Sequence, residues 1–258
     1  MNMNNIEFSC LFTTGRSDTA LLSQVFGGNK WEKRKYHYSS NNLICHECWD
    51  TKRFRIDELK EEPSFTSNES LHIQKGLINQ QLSDAITDFH GIKKYFVCDH
   101  RVGRYFSNYI SSQSNSKIIY IERNINQVID SYCKKWNDRL NRIGEDNFNR
   151  FEKRAWCLNL YQATDGFCIT KMTDSEWNKL SLKEKLEWYC VECKNQWLHF
   201  KTSKPKANVY EINFADMVTF EGMNDMALFL DLPLYKDFLS IKVNDRNDIL
   251  KRDDKNEI

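Results

Sequence analysis

Residues 6–13 (IEFSCLFT) are a short apolar run rich in strand formers, and Gly15 follows almost at once. Over residues 17–26 (SDTALLSQVF) the period changes: Leu21, Leu22 and Val25 fall at helical spacing, so the pair predicts strand, tight loop, helix. The alternation returns downstream. Residues 94–99 (KYFVCD), 117–122 (KIIYIE) and 209–214 (VYEINF) are apolar runs of strand length. Helices are predicted over 77–89, in a segment ending near Gln113, and over 124–140, 148–164, 182–200 and 223–230, the last just before Pro233. In the 182–200 helix, Glu184 and Lys185 are placed for charge pairing with neighbours one turn away. Residues 27–42 are polar, basic and aromatic and predict a surface loop or short irregular elements. The polar stretch from Lys242 onward is expected to fray.

Strands alternating with helices imply an α/β fold in three layers, a mostly parallel central sheet flanked by helices. In such sheets ligands bind at the carboxyl ends of the strands. A length of 258 residues suits one core, and residues 1–258 are expected to form one domain. With 40% hydrophobic and 28% charged residues the chain has the profile of a globular protein, not a disordered one. A net charge of +1 gives no general attraction to nucleic acid or to an acidic membrane, so neither is expected as a partner. No run approaches the roughly 18 apolar residues of a membrane span, and MNMNNIEFSC lacks the pattern of a secretory signal, so the expected location is cytoplasmic.

The strongest chemical signal is FTTGRSDTALL. A strand ending in a Gly-containing turn that feeds a helix points several backbone N–H groups at one spot, where the helix dipole also favours an anion. Ser17 and Thr19 can add hydroxyl donors, and Arg16 can fork two N–H groups onto phosphate or sulfate oxygens. An ordinary turn with Ser17 or Asp18 as N-cap is the plainer alternative. No lysine precedes a Ser/Thr at the helix start, so the loop is not of the GxxxxGK[ST] kind and an Mg-ATP kinase is poorly supported.

FTTGRSDTALLSQVF resembles the GRSGT(T/S)LL segment of the sulfotransferases that use 3′-phosphoadenosine 5′-phosphosulfate (PAPS), the bacterial and Golgi-type carbohydrate and protein enzymes especially. The resemblance implies a P-loop-type fold and a loop that holds the 5′-phosphosulfate, with Gly15, Arg16, Ser17, Thr19 and Ala20 as its residues. Asp18 departs from the family's usual glycine. KIIYIERNINQVIDSYCKKW is similar to the family's second signature, a strand ending in arginine followed by a helix with a serine eight residues on. Arg123 and Ser131 match it and would bind the donor's 3′-phosphate. VYEINFADMV is a weaker third match, which puts Phe214 near the adenine; a core phenylalanine is the alternative. No metal is expected.

Sulfuryl transfer needs a base for the acceptor hydroxyl and cations for the leaving phosphate and the sulfuryl oxygens. By the resemblance Arg16 stabilises the leaving group. Two residues compete as base: Glu47, in LICHECWD, and His100, in YFVCDHR, which replaces the lysine found in the family. Glu47 is the preferred base, with His100 and Arg101 assisting on the sulfuryl oxygens. The implied reaction is PAPS-dependent transfer to a hydroxyl of a sugar, glycan or small metabolite. A catalytically degenerate binding protein of the same fold is the main alternative.

The odd count of nine cysteines argues against a fully paired framework. The pairs Cys45/Cys48 and Cys190/Cys193 have CxxC spacing and would need to meet to hold zinc; unpaired thiols are the expectation. The run WEKRKYHY (31–38) is expected as a solvated loop, with acceptor contact as the other reading.

Overall fold

The computed structural model describes residues 6–15, 19–27, 36–39, 41–46, 68–144 and 168–234. Its centre is a six-stranded sheet of order β2-β3-β4-β1-β5-β6. The strands are β1 (Glu7–Phe12), β2 (Tyr36–Ser39), β3 (Asn42–His46), β4 (Lys94–Cys98), β5 (Ser116–Glu122) and β6 (Val209–Asn213). The pairs β3–β4, β4–β1, β1–β5 and β5–β6 are parallel, while β2 is an antiparallel edge strand on β3. This is the expected α/β architecture. The apolar runs at β1, β4 and β5 are continuous because both sheet faces are covered.

The helices are α1 (Thr19–Gly27), α2 (Asn68–Asp88), α3 (His100–Ile110), α4 (Ile125–Ile143), α5 (Asp174–Lys179), α6 (Leu182–Ser203), α7 (Phe214–Met217) and α8 (Phe220–Leu230). They divide between the faces. Leu21, Leu22, Val25 and Phe26 of α1 pack with Met217 of α7 and Met223, Met226 and Leu230 of α8 over Ile44, Phe96, Ile119 and Ile121. Side chains of α2, α3, α4 and α6 cover the opposite face, around Phe12, Tyr95, Val97 and Tyr120. The crossover from β1 leftward to β3 uses the α1 face, and the rightward steps β3→β4→β5→β6 use the other, as one consistent crossover hand requires.

Helix α6 docks through a stripe at three- and four-residue spacing: Leu186, Tyr189, Cys193, Trp197 and Phe200 are buried. Trp197 stacks on Tyr120 with centroids 4.5 Å apart and an interplanar angle of 2°, and lies 5.2 Å from the ring of Phe12. Its N-terminus is a capping box, in which the Ser181 hydroxyl accepts from Glu184 N and Glu184 accepts from Ser181 N. Glu184 therefore serves the cap in place of the expected side-chain pairing. Thr173 and Glu176 make the same box on α5.

Three expectations change. The loop expected over 27–42 contains β2, which pairs with β3 as a hairpin; Asn41, at φ 66°, supplies the left-handed turn residue. Helix α2 starts at Asn68, not residue 77, and its buried positions Gln74, Ile78 and Leu82 run at i, i+4, with glutamine standing where the pattern sought an apolar side chain. Gln74 is usable there because its Oε1 accepts from Tyr109 N at 3.2 Å. Strand β6 ends at Asn213, and Phe214 opens α7. The helix expected over 148–164 lies outside the described residues. Among those described, no helix is long and apolar enough to cross a membrane.

Helix α3 is buried on nearly every side and meets β1 at Gly103, where a Cβ would lie 2.2 Å from Leu11 O and 2.7 Å from Phe12 Cα. Gly103→Ala is expected to cost about 3 kcal/mol or more, since backbone and not a flexible tip must yield. The check is a thermal melt, with Tm lower by about 6–12 °C. The capping boxes give a pH signature. Hydrogen bonds from the Ser181 hydroxyl and N–H hold Glu184 below its ordinary 4.5, and those from the Thr173 N–H and hydroxyl do the same for Glu176. A lowered folded value contributes stability that is complete above 4.5 and is lost as pH falls through the folded value. Glu176→Gln with Glu184→Gln should flatten the fall of Tm between about pH 5 and about pH 3 relative to the parent.

Candidate functional site

All five parallel strands end on one edge, and that edge collects the candidate residues. Strand β1 runs into Thr14 and Gly15, β4 into Asp99 and His100, β5 into Arg123, β6 into Phe214, and β3 ends at His46. Helix α1 leaves β1 toward one face and α4 leaves β5 toward the other, so the chain diverges between these neighbouring strands and opens a crevice there. Phe12 pairs with Tyr120 and Glu122 with Asn213, which carries Gly15, Arg123 and Phe214 out of three adjacent strands, spaced by roughly 5 Å each.

Gly15 has φ 76°, and a Cβ on it would lie 2.7 Å from Tyr132 Oη and 3.0 Å from the His100 ring. Only glycine fits this turn, on grounds of both backbone conformation and space. Thr14 is held on each side: its carbonyl accepts from Tyr132 Oη at 3.1 Å and Tyr189 Oη at 2.9 Å, while its hydroxyl donates to Gly15 O at 3.1 Å. Burial pushes the Tyr189 phenol well above its ordinary value, with Arg104 pulling the other way, so the phenol stays protonated and a donor.

Arg123 lies over the ring of Phe214, its guanidinium carbon 4.1 Å from the centroid. Both are half-buried, and Phe214 also packs against the α1/α8 core. It is therefore packed against the core, as the alternative reading had it, and carries Arg123 on its ring. Asn124 follows and caps α4, its side chain accepting from Asn126 N at 3.0 Å and Gln127 N at 3.3 Å. That cap fixes the exit of β5 and places half-buried Ser131 on α4 next to Tyr132, the residue that touches the first loop.

Thr19 is buried at the start of α1, and its Oγ1 lies 3.1 Å from His46 Nε2. When His46 carries its proton on Nε2 it donates to Thr19, whose own hydroxyl proton can then go to an anion. Ala20 is in the first turn of α1. His100 opens α3 with Nδ1 3.9 Å from Oδ1 of fully buried Asp99. Arg16, Ser17, Asp18, Glu47 and the side chains of Ala20 and Arg101 lie outside the described residues, as does most of the 31–38 run.

The thiol expectation needs one correction. Cys45, buried at the end of β3, is disulfide-bonded, with its partner outside the described residues. An odd cysteine count excludes complete pairing but not a single bridge, and an oxidised Cys45 has no thiolate to offer zinc. Cys190 and Cys193 are buried free thiols on α6, and burial pushes both up. Among the described residues no group of three His, Cys, Asp or Glu side chains could hold a metal ion.

Sequence reasoning passed over the residues that orient the loop. Tyr132 directly follows Ser131 in the second signature, and His46 directly precedes Glu47, so both stood inside segments already singled out. Tyr189 and Arg104 carry no local signal; only the docking of α6 and α3 brings them under Thr14.

Neither a family model nor a curated protein sequence matches the chain. Among solved structures it is similar to the sulfotransferase domain from the curacin biosynthetic pathway, at 14% identity and TM-score 0.46, over 91% of this chain and 76% of that one. It is also similar to the sulfotransferase from Alicyclobacillus acidocaldarius, at 13% identity and TM-score 0.45, over 88% of this chain and 81% of that one.

Proposed function

We propose that the chain is a PAPS-dependent sulfotransferase, one domain acting on a hydroxyl of a sugar, glycan or small metabolite. The observation that carries this reading is the joining of the two signature segments in one crevice. Tyr132, beside Ser131 on α4, donates to Thr14 O of the first loop, and β1 and β5 are parallel neighbours. An elongated nucleotide with anionic groups at both ends needs such an arrangement, with one anion site at each end. The residues fit the donor: a glycine turn that a Cβ would close, and an arginine whose guanidinium carbon lies over the centre of an aromatic ring and whose fork of N–H donors suits a phosphate.

In this reading the loop after β1, with Gly15, Arg16, Ser17, Thr19 and Ala20, receives the 5′-phosphosulfate. Arg123 and Ser131 receive the 3′-phosphate, and Phe214 borders the adenine. The acceptor oxygen attacks sulfur as the bond from sulfur to the 5′-phosphate oxygen breaks, releasing adenosine 3′,5′-bisphosphate. Glu47 takes the acceptor proton. Arg16 offsets the charge that develops on the leaving phosphate, and His100, within contact of the Gly15 turn, assists on the sulfuryl oxygens with Arg101.

The direct test is calorimetric titration of adenosine 3′,5′-bisphosphate, with an expected Kd on the order of micromolar, followed by turnover of PAPS on a panel of hydroxyl acceptors. No binding of the bisphosphate sinks the proposal; binding without turnover on any acceptor favours a degenerate binding protein. Arg123→Ala should weaken the bisphosphate about 10- to 100-fold, whereas Arg101→Ala should change it by less than about threefold. Gly15→Ala, strained at φ 76° and crowded by Tyr132 and His100, should lower bisphosphate affinity by about tenfold or more while the chain still folds.

A further inference from the structure

Beneath the first loop lies a polar chain that no expected site residue accounts for. Arg104 is 1% exposed, on a helix buried on nearly every side. Its Nε donates to His100 O at 2.9 Å, and its Nη1 donates to Tyr189 Oη and, at 3.5 Å, to Cys193 Sγ. Its guanidinium carbon lies 4.9 Å from the centroid of the Tyr189 ring. Tyr189 Oη in turn donates to Thr14 O. Tyr132 reaches the same oxygen from α4, and the two phenol rings meet edge to face, 6.4 Å apart at 88°. Both lone pairs of one carbonyl are thereby used. Burying a guanidinium costs several kcal/mol that packing alone would not require, and a charged donor strengthens the next hydrogen bond in the series.

The consequence follows from peptide geometry. In a trans peptide the carbonyl and the next N–H point in opposite directions. Two phenols drawing Thr14 O toward α4 and α6 therefore turn the Gly15 N–H to the opposite side of the peptide, away from them. We propose that Tyr132 and Tyr189 are positioning residues that set the Thr14–Gly15 peptide plane, with Arg104 acting through Tyr189, so that the Gly15 amide is presented to the 5′-phosphate end of the donor. The clamp also explains why position 15 must be glycine, since the space a Cβ would take is filled by Tyr132 Oη.

This inference rests on the nucleotide reading above, and the test separates the two. Adenosine 3′,5′-bisphosphate and adenosine 3′-monophosphate differ only in the 5′-phosphate, so the ratio of their affinities reports on the loop alone. For the parent chain the bisphosphate should bind more tightly. Tyr189→Phe and Tyr132→Phe keep the rings and remove the hydroxyls; each should weaken the bisphosphate about tenfold and leave the monophosphate within about twofold. Arg104→Lys, which keeps the charge and loses the fork, should move the ratio in the same direction by a smaller factor. A variant that merely loosens the fold lowers both affinities together and leaves the ratio unchanged. An unchanged ratio in both tyrosine variants overturns the clamp, and if Tyr189→Phe does not fold, Tyr132→Phe decides alone. If the parent chain binds neither nucleotide, the donor-site reading fails and the clamp's role fails with it.

Discussion

A parallel sheet can place chemistry on one edge only if its central strand leaves that edge without colliding with the helices on either side, and in this chain that strand is β1. It is hydrogen-bonded to β4 and β5 along its length, and α3 presses on it so closely that Gly103 faces Leu11 O with no room for a methyl group. That contact removes any freedom to slide α3 along β1. It thereby fixes where His100, at the start of α3, meets the turn at Gly15, and where Arg104, one helical turn later, lies beneath Thr14. The aromatic stack of Tyr120, Trp197 and Phe12 does the same for α6 and so for Tyr189. The turn at Thr14 and Gly15 inherits its geometry from packing several residues away.

How much of this could be read in the chain depends on how local each determinant is. β1, β4 and β5 are visible as uninterrupted apolar runs because burial on both faces removes the polar alternation. The β2–β3 hairpin was hidden: Tyr36, His37 and Tyr38 are interleaved with basic residues and look like surface, and pairing along an edge strand needs only backbone plus one turn residue at Asn41. The apolar pattern starts α2 too late because Gln74 interrupts its stripe, and the hydrogen bond that Gln74 accepts from Tyr109 N is a tertiary contact. Glu184 looked like half of an ion pair, yet Ser181 three residues earlier makes it half of a cap. Both pair types suit the same sequence, and only the helix boundary distinguishes them.

The candidate site divides along the same line. Gly15, Arg123 and Phe214 are contributed by strand ends, where one short segment sets both the residue and its position, and a motif can therefore reveal them. The shared stacking of Arg123 on Phe214 could not be read from either segment, because it depends on β6 pairing with β5 in a register that sets Asn213 beside Glu122. Tyr189 and Arg104 are further removed. One is on a helix that reaches Thr14 across 175 positions of sequence, and the other is a charge placed where composition rules expect an apolar side chain. Cys45 shows the limit of counting: an odd total says one thiol is left over, and says nothing of which sulfurs meet.

The buried arginine bears on what holds the turn at Thr14 and Gly15. A glycine turn at positive φ is cheap to form but equally cheap to flip, because glycine has nearly the same freedom on either side of φ zero. Flipping the Thr14–Gly15 peptide would withdraw the carbonyl from two phenol donors inside the protein. Each hydrogen bond lost inside the protein would disfavour the flipped form by about 0.5–1.5 kcal/mol. One carbonyl with two donors therefore accomplishes what a bulkier residue at position 15 could not, because any side chain there would displace the Tyr132 hydroxyl that holds the turn. The glycine supplies the conformation, and the tyrosines remove its alternatives.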